Sequence, residues 1–335
     1  GLVGSEMCIR DRTITIQNGY NGYFDLFKGK LEFTGKGTIK DVRVKERVAA
    51  TIWVEGSTDV NDKDFSVLTI GKDVTIDTTQ WGLAVSHTDG KAYGLTVNFN
   101  GKIVSSAVNG GGITVFGDVK NTGNGLTNAP VINLSNTASV KAVGDAALYA
   151  AGVGIWYIDG GTYEGLSTIG AKSGKFVINN GMFIATGVPK TGELYGNGII
   201  STGSVIQIEN NKGYAGNIEI TVNGGTFKSE KGLSIYHYPP NNEEGETNTL
   251  KSLIINGGTF TSDVKMVKGD NVSVTNGTFS TKTLESYIPN TYTMVKKSEN
   301  EYVVSNIEFS EVEGLEAKIT SNGTDNKLYA CLLYT

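Results

Sequence analysis

Residues 255–260 read INGGTF, and this short phrase decides the fold. Four variants of it stand elsewhere in the chain, at 158–163 (IDGGTY), 178–183 (INNGMF), 222–227 (VNGGTF) and 274–279 (VTNGTF). In all five copies the first residue is β-branched, the fourth is glycine and the sixth is aromatic. This order is typical of a strand that turns a tight corner and continues as a second strand. The sequence therefore predicts one strand–corner–strand unit, used repeatedly.

Each column of the aligned copies predicts a structural role. The third and fourth positions hold only Gly or Asn, which tolerate φ > 0 best, so we expect a left-handed corner there. Short polar side chains in the second column are expected to form a hydrogen-bonded ladder, and the aromatic rings in the sixth are expected to stack in the interior. The second column is Asp159, Asn179, Asn223, Asn256 and Thr275; the third is Gly160, Asn180, Gly224, Gly257 and Asn276; the fourth is Gly161, Gly181, Gly225, Gly258 and Gly277; the sixth is Tyr163, Phe183, Phe227, Phe260 and Phe279.

The spacing of the copies predicts the architecture. The first two copies and the last two follow each other at nearly the same short interval. The wider interval between the third and fourth predicts one unit plus a loop at 237–249, and the still wider one between the second and third predicts two units. A unit of roughly 20 residues is too short for a propeller blade or a helical repeat, and the frame lacks the leucines of a leucine-rich repeat. It fits one coil of a parallel β-helix, and roughly 12 such coils, stacked about 4.8 Å apart, would make a rod on the order of 60 Å long.

The chain divides into an all-β solenoid, a cap and a tail. Short runs with period-two alternation fill residues 13–281, which we assign to the parallel β-helix. Residues 282–305 predict two strands around a Ser-Glu-Asn turn, which would cap the open end of the sheets. Residues 306–329 have a different composition, and we interpret them as the start of a further domain.

The two ends of the chain, 1–12 and 330–335, resemble translated sequencing-adaptor DNA, because LVGSEMCIRDR and CLLYT correspond to complementary nucleotide strings. We therefore exclude them from fold reasoning and interpret the rest as an internal fragment. Both cysteines, Cys8 and Cys331, lie in these ends. Disulfide and thiolate chemistry is therefore not expected of the remaining chain.

Composition narrows the functional classes. The net charge is −5, from 29 basic and 34 acidic residues without a basic patch, so we expect no nucleic-acid partner. No apolar run is long enough for a membrane helix. The two histidines, His87 and His237, lie far apart in the sequence without neighbouring ligands, so we expect neither a metal site nor a cofactor. The 45 glycines and the abundant Thr and Asn favour an extracellular location.

Aromatic residues near predicted loops are the candidate ligand-binding residues. Loops inserted into a solenoid commonly carry its binding surface, and aromatic rings can stack on sugars. Packing at the edge or in the interior is the alternative role for each of them. The candidates are Tyr236, His237 and Tyr238, which open the longest polar insertion, and Trp81, Trp156 and Tyr157, which lie at strand ends near glycine.

Several further stretches carry a family resemblance. Together with the corner phrases, GKDVTID, ALYAAG, GNGIISTGS, NKGYAGNIEITVNGGTF and GLSIYHY resemble uncharacterised right-handed parallel β-helix repeat proteins of the pectate-lyase-like superfamily. Such proteins occur on the surfaces of anaerobic, gut-type bacteria and as fibre-like proteins of their phages. The resemblance covers residues 13–305 and implies an extracellular, cell-surface or virion-surface location. It brings no catalytic residues, because none is assigned in this family.

Three functions are compatible with these observations. The leading hypothesis is a non-catalytic, adhesin-like surface module whose loops bind glycans or other surface proteins. The second is a phage fibre or spike domain, which predicts a homotrimer. The third is a polysaccharide lyase or glycoside hydrolase, which needs carboxylates gathered in one groove. Glu209 and Glu219 bracket a single loop, but we expect no catalytic pair there, and no Asp-Asp or Gly-His-Gly motif occurs.

Overall fold

The chain winds through three long parallel sheets. The structure is a computed structural model that describes residues 12–17, 23–44, 50–86, 92–108, 110–116, 126–189, 203–209, 217–238, 250–312 and 316–320. Successive strands belong in turn to sheet A, sheet B and sheet C, and one passage through all three makes a coil. Each strand pairs in parallel with its counterparts in the neighbouring coils. The prediction of a parallel β-helix is therefore confirmed.

The strands are numbered in chain order and grouped here by sheet. The parallel strands of sheet A are β1 (Arg12–Ile16), β4 (Gly37–Asp41), β7 (Val74–Thr78), β10 (Lys102–Ser105), β13 (Ser139–Ala142), β16 (Thr162–Gly165), β19 (Met182–Ala185), β22 (Thr226–Ser229), β25 (Thr259–Phe260) and β28 (Gly277–Phe279). Sheet B contains β2 (Phe24–Leu26), β5 (Ala50–Val54), β8 (Trp81–Val85), β11 (Ile113–Val115), β14 (Leu148–Ala150), β17 (Ile169–Ala171), β20 (Ser204–Glu209), β23 (Leu233–Tyr238) and β26 (Val264–Lys265). Sheet C contains β3 (Gly29–Phe33), β6 (Ser66–Ile70), β9 (Leu95–Phe99), β12 (Val131–Leu134), β15 (Ile155–Ile158), β18 (Gly174–Ile178), β21 (Ile218–Val222), β24 (Leu250–Ile255) and β27 (Val272–Val274).

The number of coils differs from the expectation of about a dozen. In the described residues sheet A has ten parallel strands. Ile178 pairs directly with Val222, so the widest interval between corner phrases is one coil with insertions and not two coils. Val222 pairs directly with Ile255, which makes the next interval one coil with a loop, as predicted. Coil length therefore varies mainly because the connections between strands differ in length.

The corner phrases connect sheet C to sheet A. The fourth-column glycines have φ values of 94°, 136°, 106°, 106° and 134°, a region that glycine enters without strain. The third column does not adopt positive φ, which corrects the expectation for Gly160, Asn180, Gly224, Gly257 and Asn276. Glycine is needed there for another reason, since a Cβ at Gly257 would lie 2.5 Å from the carbonyl oxygen of Asn223 in the preceding coil. At Asn180 the side-chain oxygen accepts the N–H of Gly181 at 2.8 Å.

A ladder of side-chain hydrogen bonds runs along this corner. Asn179 Nδ2 donates to Asp159 Oδ1 at 2.7 Å, Asn223 Nδ2 donates to Asn179 Oδ1 at 2.9 Å, and Asn256 Nδ2 donates to Asn223 Oδ1 at 3.0 Å. The hydroxyl of Thr275 continues the ladder by donating to Asn256 Oδ1 at 3.0 Å. The ladder ties each coil to the next outside the core.

Inside the same corner the five aromatic rings form one stack. Neighbouring ring centroids are 5.1, 4.9, 4.7 and 4.9 Å apart, and the planes diverge by at most 16°. All five rings are buried: Tyr163, Phe183, Phe227, Phe260 and Phe279. Aliphatic residues that alternate along all three sheets complete a single core. The spacing of the coils thus sets the spacing of the rings.

The C-terminal end of the β-helix is closed by an antiparallel hairpin. The strands β29 (Tyr292–Ser298) and β30 (Glu301–Asn306) pair with each other, and β30 pairs with β28 of the last coil. A 3-10 helix (Glu285–Tyr287) leads into the hairpin. Asp263 Oδ1 accepts the hydroxyls of Thr281 at 2.6 Å and Thr283 at 2.7 Å, which fastens this segment to the solenoid. Farther on, β31 (Glu308–Val312) and β32 (Glu316–Thr320) form a separate antiparallel pair.

Candidate functional site

The connections between strands are distributed unequally around the coil. Those from sheet C to sheet A, where the corner phrases lie, are all short and of nearly equal length. Every markedly longer connection between strands of the β-helix enters or leaves sheet B. The longest spans residues 186–203, between β19 and β20. Sheet B is therefore the part of the coil that the insertions surround.

One row of residues on sheet B faces away from the core. Register pairs its members one after another through nine coils, while their neighbours in sequence, such as Ile206 and Ile208, belong to the core. We call this row the outer row. Its members in order are Asp25, Trp53, Ala84, Thr114, Tyr149, Gly170, Gln207, Tyr236 and Lys265.

Between Asp25 and Gly170, the outer row contains two large aromatic residues separated by small side chains. Trp53 stacks on Phe116, two coils away, with ring centroids 5.2 Å apart and planes 19° apart. The intervening coil contributes Ala84, whose small side chain leaves room for this contact. Tyr149, farther along, is buried and packs against Trp81 at a centroid distance of 5.9 Å.

The second part of the sheet B face contains buried polar groups, which we call the polar floor: Lys172, Gln207 and Glu209. Lys172 Nζ lies 3.1 Å from Glu209 Oε2, and both side chains are almost completely buried. The same ammonium group lies 5.5 Å from the ring centroid of Tyr149. Gln207 is completely buried, and neither its amide nitrogen nor its amide oxygen has a hydrogen-bond partner. Native proteins rarely leave a buried amide unsatisfied, because each unmade bond costs about 1–3 kcal/mol.

Two half-buried tyrosines border the polar floor, and we call them the aromatic rim. Tyr236 pairs in register with Gln207, and Tyr238 pairs with Glu209. Their ring centroids are 5.1 Å apart in an edge-on arrangement, and Lys265 Nζ lies 5.4 Å from the ring centroid of Tyr236.

Burial raises the pKa of Tyr236 above its ordinary value. The pKa of Tyr238 is also raised, first by burial and then by the nearby Tyr236 and the negative charge of Glu209. Both phenols therefore keep their protons at neutral pH. They are suited to hydrogen bonding and poorly suited to act as general bases.

His237 lies between the rim tyrosines in sequence but faces the opposite way. It is buried, and its Nδ1 lies 2.6 Å from Oδ2 of Asp270. The N–H of Val267 donates to the same oxygen at 2.8 Å. The strand continues through His237, so alternate residues point to opposite faces and only Tyr236 and Tyr238 reach the outer side. His237 therefore has the interior packing role that the sequence left open as the alternative to ligand binding.

The remaining candidates lie on different parts of the coil. Trp156 is completely buried and stacks on Phe176 at 5.7 Å, so it has the interior packing role that the sequence left open as the alternative to ligand binding. Tyr157, the next residue, points outward from sheet C with 39% of its surface exposed. Trp81, the first residue of β8 in sheet B, is buried against Tyr149 and small alanines. The structure therefore brings together only the rim tyrosines among the six predicted residues.

The two carboxylates that bracket one loop lie on different sheets. Glu209 ends β20 on sheet B, whereas Glu219 lies in β21 on sheet C and accepts a hydrogen bond from Lys251 Nζ at 2.7 Å. Within the described residues no group of three or more His, Cys, Asp or Glu is arranged to hold a metal ion. His87 and residues 239–249 of the predicted loop lie outside the described residues.

Arg43 is a buried arginine of the β-helix, and its role is structural. Its guanidinium forms a two-pronged ion pair with Asp41, with Nε 2.8 Å from Oδ1 and Nη2 2.5 Å from Oδ2. Nη2 also donates to the carbonyl of Ala50 at 2.9 Å. These bonds fix the corner between sheets A and B, so the guanidinium of Arg43 stabilises the fold.

Sequence reasoning missed Lys172 and Gln207. The strand SVIQIE alternates apolar and polar residues, which places Gln207 and Glu209 on one face, and this signal was available. The contact of Lys172 with Glu209 could not be predicted, because the two residues lie far apart in the sequence and the coil between them has an irregular length.

Comparisons of the chain with protein-family models, with curated proteins and with solved structures find no match. Along the described residues, no helix combines the length and the apolarity that crossing a membrane requires. The functional assignment therefore rests on the β-helix and on the geometry of sheet B.

Proposed function

We propose that the chain is a non-catalytic, adhesin-like module of an extracellular surface protein, in which a stiff β-helix presents one binding face. The observation that carries the proposal is the concentration of the long connections around sheet B. Stacked coils form an extended rod, and insertions on one face of a solenoid commonly form its binding surface. Glycans or other surface proteins are the partners that such a face would bind.

The chemistry of the sheet B face favours a polar ligand. The rim rings provide flat apolar surfaces with a hydroxyl at one end, and such amphipathic rings are common where a ligand is half apolar and half polar. The floor beneath them is buried, so a ligand at this part of sheet B would contact the rim tyrosines and the exposed Lys265. A sugar has the same mixture of C–H faces and hydroxyl groups.

Binding without turnover is favoured by the state of the candidate acids and bases. The rim phenols have raised pKa values, so they stay protonated at neutral pH. Glu209 is paired with Lys172, and Glu219 lies on another sheet. These two carboxylates therefore do not form the facing pair that glycoside hydrolysis needs.

Membership of the right-handed, pectate-lyase-like β-helix proteins of cell surfaces is part of the same proposal. Its support is the coil architecture together with the resemblance of residues 13–305. An extracellular location agrees with the low charged fraction of 19% and with a chain whose cysteines lie only at its extreme ends.

A glycan array and light scattering test the proposal on the full chain. We expect binding to a limited set of glycans and a monomeric mass. A stable trimer would instead favour a virion fibre, and release of products from a panel of polysaccharides would favour an enzyme. Absence of binding both to the array and to intact bacterial surfaces would contradict the proposal.

A further inference from the structure

We infer that the side-chain amine of Lys172 forms an intramolecular amide bond with the side chain of Gln207, and that Glu209 transfers the protons of this reaction. The bond joins two neighbouring coils of sheet B after the chain has folded. The inference goes beyond the proposed function and does not depend on it, because the reaction takes place inside the fold and needs no ligand.

The three residues of the polar floor lie next to one another on two adjacent coils. Gly170 pairs in register with Gln207. Two residues farther along both coils, Lys172 Nζ lies 3.1 Å from Glu209 Oε2. Lys172 and Gln207 are therefore diagonal neighbours, with Cα atoms about 8 Å apart for strands spaced about 4.8 Å apart and a rise of about 3.3 Å per residue. A lysine and a glutamine side chain together span this distance.

The amine of Lys172 lies on the side of the coil where the carboxamide lies. Its Nζ is 5.5 Å from the ring centroid of Tyr149. Tyr149 precedes Gly170 in register, and a Cβ at Gly170 would lie 3.1 Å from Cδ2 of that ring. The lysine side chain therefore reaches toward the outer row, to which Gln207 belongs. Gly170 contributes no side chain that would separate the amine from the carboxamide.

Gln207 is the reacting group whose unusual state the inference explains. Its side chain is completely buried, and neither its amide nitrogen nor its amide oxygen has a hydrogen-bond partner. Buried polar groups without partners are rare in native proteins and call for a specific reason, of which a chemical role is one. Formation of the amide bond removes the unpaired NH2 group from the interior.

Burial provides the conditions that the reaction needs. Lys172, Gln207 and Glu209 are each at most 2% exposed. Exclusion of water removes the nucleophile that would otherwise compete for the amide carbon. Buried charges are unfavourable, and transfer of one proton from the ammonium to the carboxylate leaves a neutral amine beside a neutral acid. Groups held side by side in a fold react as if at very high concentration.

The reaction exchanges one amide bond for another. Glu209 accepts a proton from the ammonium of Lys172, and the electron pair on Nζ attacks Cδ of Gln207. The bond between Nζ and Cδ forms, and the bond between Cδ and Nε2 breaks. Glu209 donates its proton to the departing nitrogen and passes on the second proton that Nζ gives up. The products are the new amide and one ammonium ion, and Glu209 ends as a carboxylate.

The new bond would close residues 172–207 into a ring. This ring contains the longest connection of the β-helix, residues 186–203. A cross-link that encloses a long segment restricts the unfolded chain and so favours the folded one. The bond would therefore hold together the two coils that this connection separates along the chain.

Intact-mass spectrometry of the full, denatured chain tests the bond directly. We expect a mass lower than that of the sequence by one ammonia molecule, and a digest should contain a branched peptide that joins Lys172 to Gln207. Lys172→Arg keeps a positive charge beside Glu209 but lacks the nucleophilic amine, so it should have the full mass. Glu209→Gln, which cannot transfer the protons, should also have the full mass.

Lys141→Arg is the matched control, because Lys141 forms an exposed ion pair with Glu164 on sheet A, with Nζ 2.8 Å from Oε1. It should retain the mass loss. Asn-Gly sequences such as Asn223-Gly224 also lose ammonia when they form a succinimide, and that loss would persist in Lys172→Arg. A full mass for the unsubstituted chain, or a mass loss that persists in Lys172→Arg, would overturn the inference.

A protease site inserted into the connection 186–203 gives a second, independent measurement. After cleavage, the two fragments should remain joined on a denaturing gel, because the amide bond connects them. The same chain with Lys172→Arg should separate into two fragments. Separation while Lys172 is present would contradict the bond. Absence of glycan binding would count against the proposed function alone, since neither measurement involves a ligand.

Discussion

Two regions of each coil differ in how much they vary along the rod: the corner between sheets C and A, and the connections on either side of sheet B. At the corner the connections are short, the glycines repeat, and the polar and aromatic columns contact their counterparts in the next coil. Around sheet B the connections become as long as the one at 186–203, and the side chains of the outer row differ in size and polarity from coil to coil. The comparison shows that one edge of the coil maintains register, which allows the opposite face to vary.

The largest effect is expected when the same short segment is inserted once at the corner and once in a long connection next to sheet B. A short Gly/Ser segment placed between Gly224 and Gly225 would separate the ladder and the stack at one coil. We expect the chain to lose cooperative folding, a loss of more than about 5 kcal/mol. The same insertion in the middle of 186–203 should cost under about 0.6 kcal/mol, because loop entropy grows slowly with length. Circular dichroism during thermal unfolding measures both, and equal tolerance would contradict the division of roles.

Phe227→Ala removes the central ring of the aromatic stack. Phe227 is completely buried, with neighbouring ring centroids 4.9 and 4.7 Å away. A cavity of this kind should lower the free energy of unfolding by about 3–5 kcal/mol. Thr226→Ala, the adjacent outward residue, is the control and should cost under about 1 kcal/mol. Urea denaturation gives both values, and similar losses would show that the stack contributes little.

Much of this fold could be predicted from the sequence, because the features that determine it depend on residues close together in the chain. A fourth-position glycine is needed wherever φ is positive, and a ring every coil must stack when coils are about 4.8 Å apart. The prediction of positive φ in the third column was wrong because glycine also occurs where another part of the chain approaches closely. At Gly224 and Gly257 the absence of a side chain permits the close approach of the preceding coil, and a local sequence pattern does not reveal such contacts between coils.

The site could be predicted only in part. Alternation along β23 places Tyr236 and Tyr238 together and sends His237 inward, and the same rule sends Trp156 inward beside Ile158. Lys172, Gln207 and Glu209 meet through the pairing of Ala171 with Ile208. That register depends on how much of residues 172–208 is insertion, which no local pattern specifies.

Asn223→Ala tests the ladder at the surface of the same corner. Asn223 Nδ2 donates to Asn179 and Asn223 Oδ1 accepts from Asn256, so the substitution removes two hydrogen bonds. Because the residue is exposed and water replaces its partners, we expect a loss of about 1 kcal/mol. Denaturant unfolding beside Asn179→Ala would measure it. A loss as large as that of Phe227→Ala would make the ladder the main source of register.

Asp263 gives the smallest expected effect, at the junction with the cap. Burial alone would raise its pKa, but hydrogen bonds from Thr281, Thr283 and the N–H of Val264 outweigh burial and lower the pKa. Its stabilising contribution is therefore complete above the unfolded carboxyl pKa near 4 and is lost as the pH falls through the lower folded value. Since the group is exposed, we expect less than about 1 kcal/mol. Asp263→Asn should flatten this acid-range dependence in pH-resolved thermal unfolding, and an unchanged profile would contradict it.

The central claim is that the sheet B face binds the ligand, whereas the corner between sheets C and A has only a structural role. Calorimetry on the full chain would measure the affinity for the glycan that binds best on the array. The test compares the double variant Tyr236→Ala/Tyr238→Ala with Tyr157→Ala, which removes an exposed tyrosine from sheet C. We predict at least tenfold weaker binding in the double variant, unchanged binding in Tyr157→Ala and similar melting temperatures in both. Equal affinity in the two variants, or a loss confined to Tyr157→Ala, would contradict the claim.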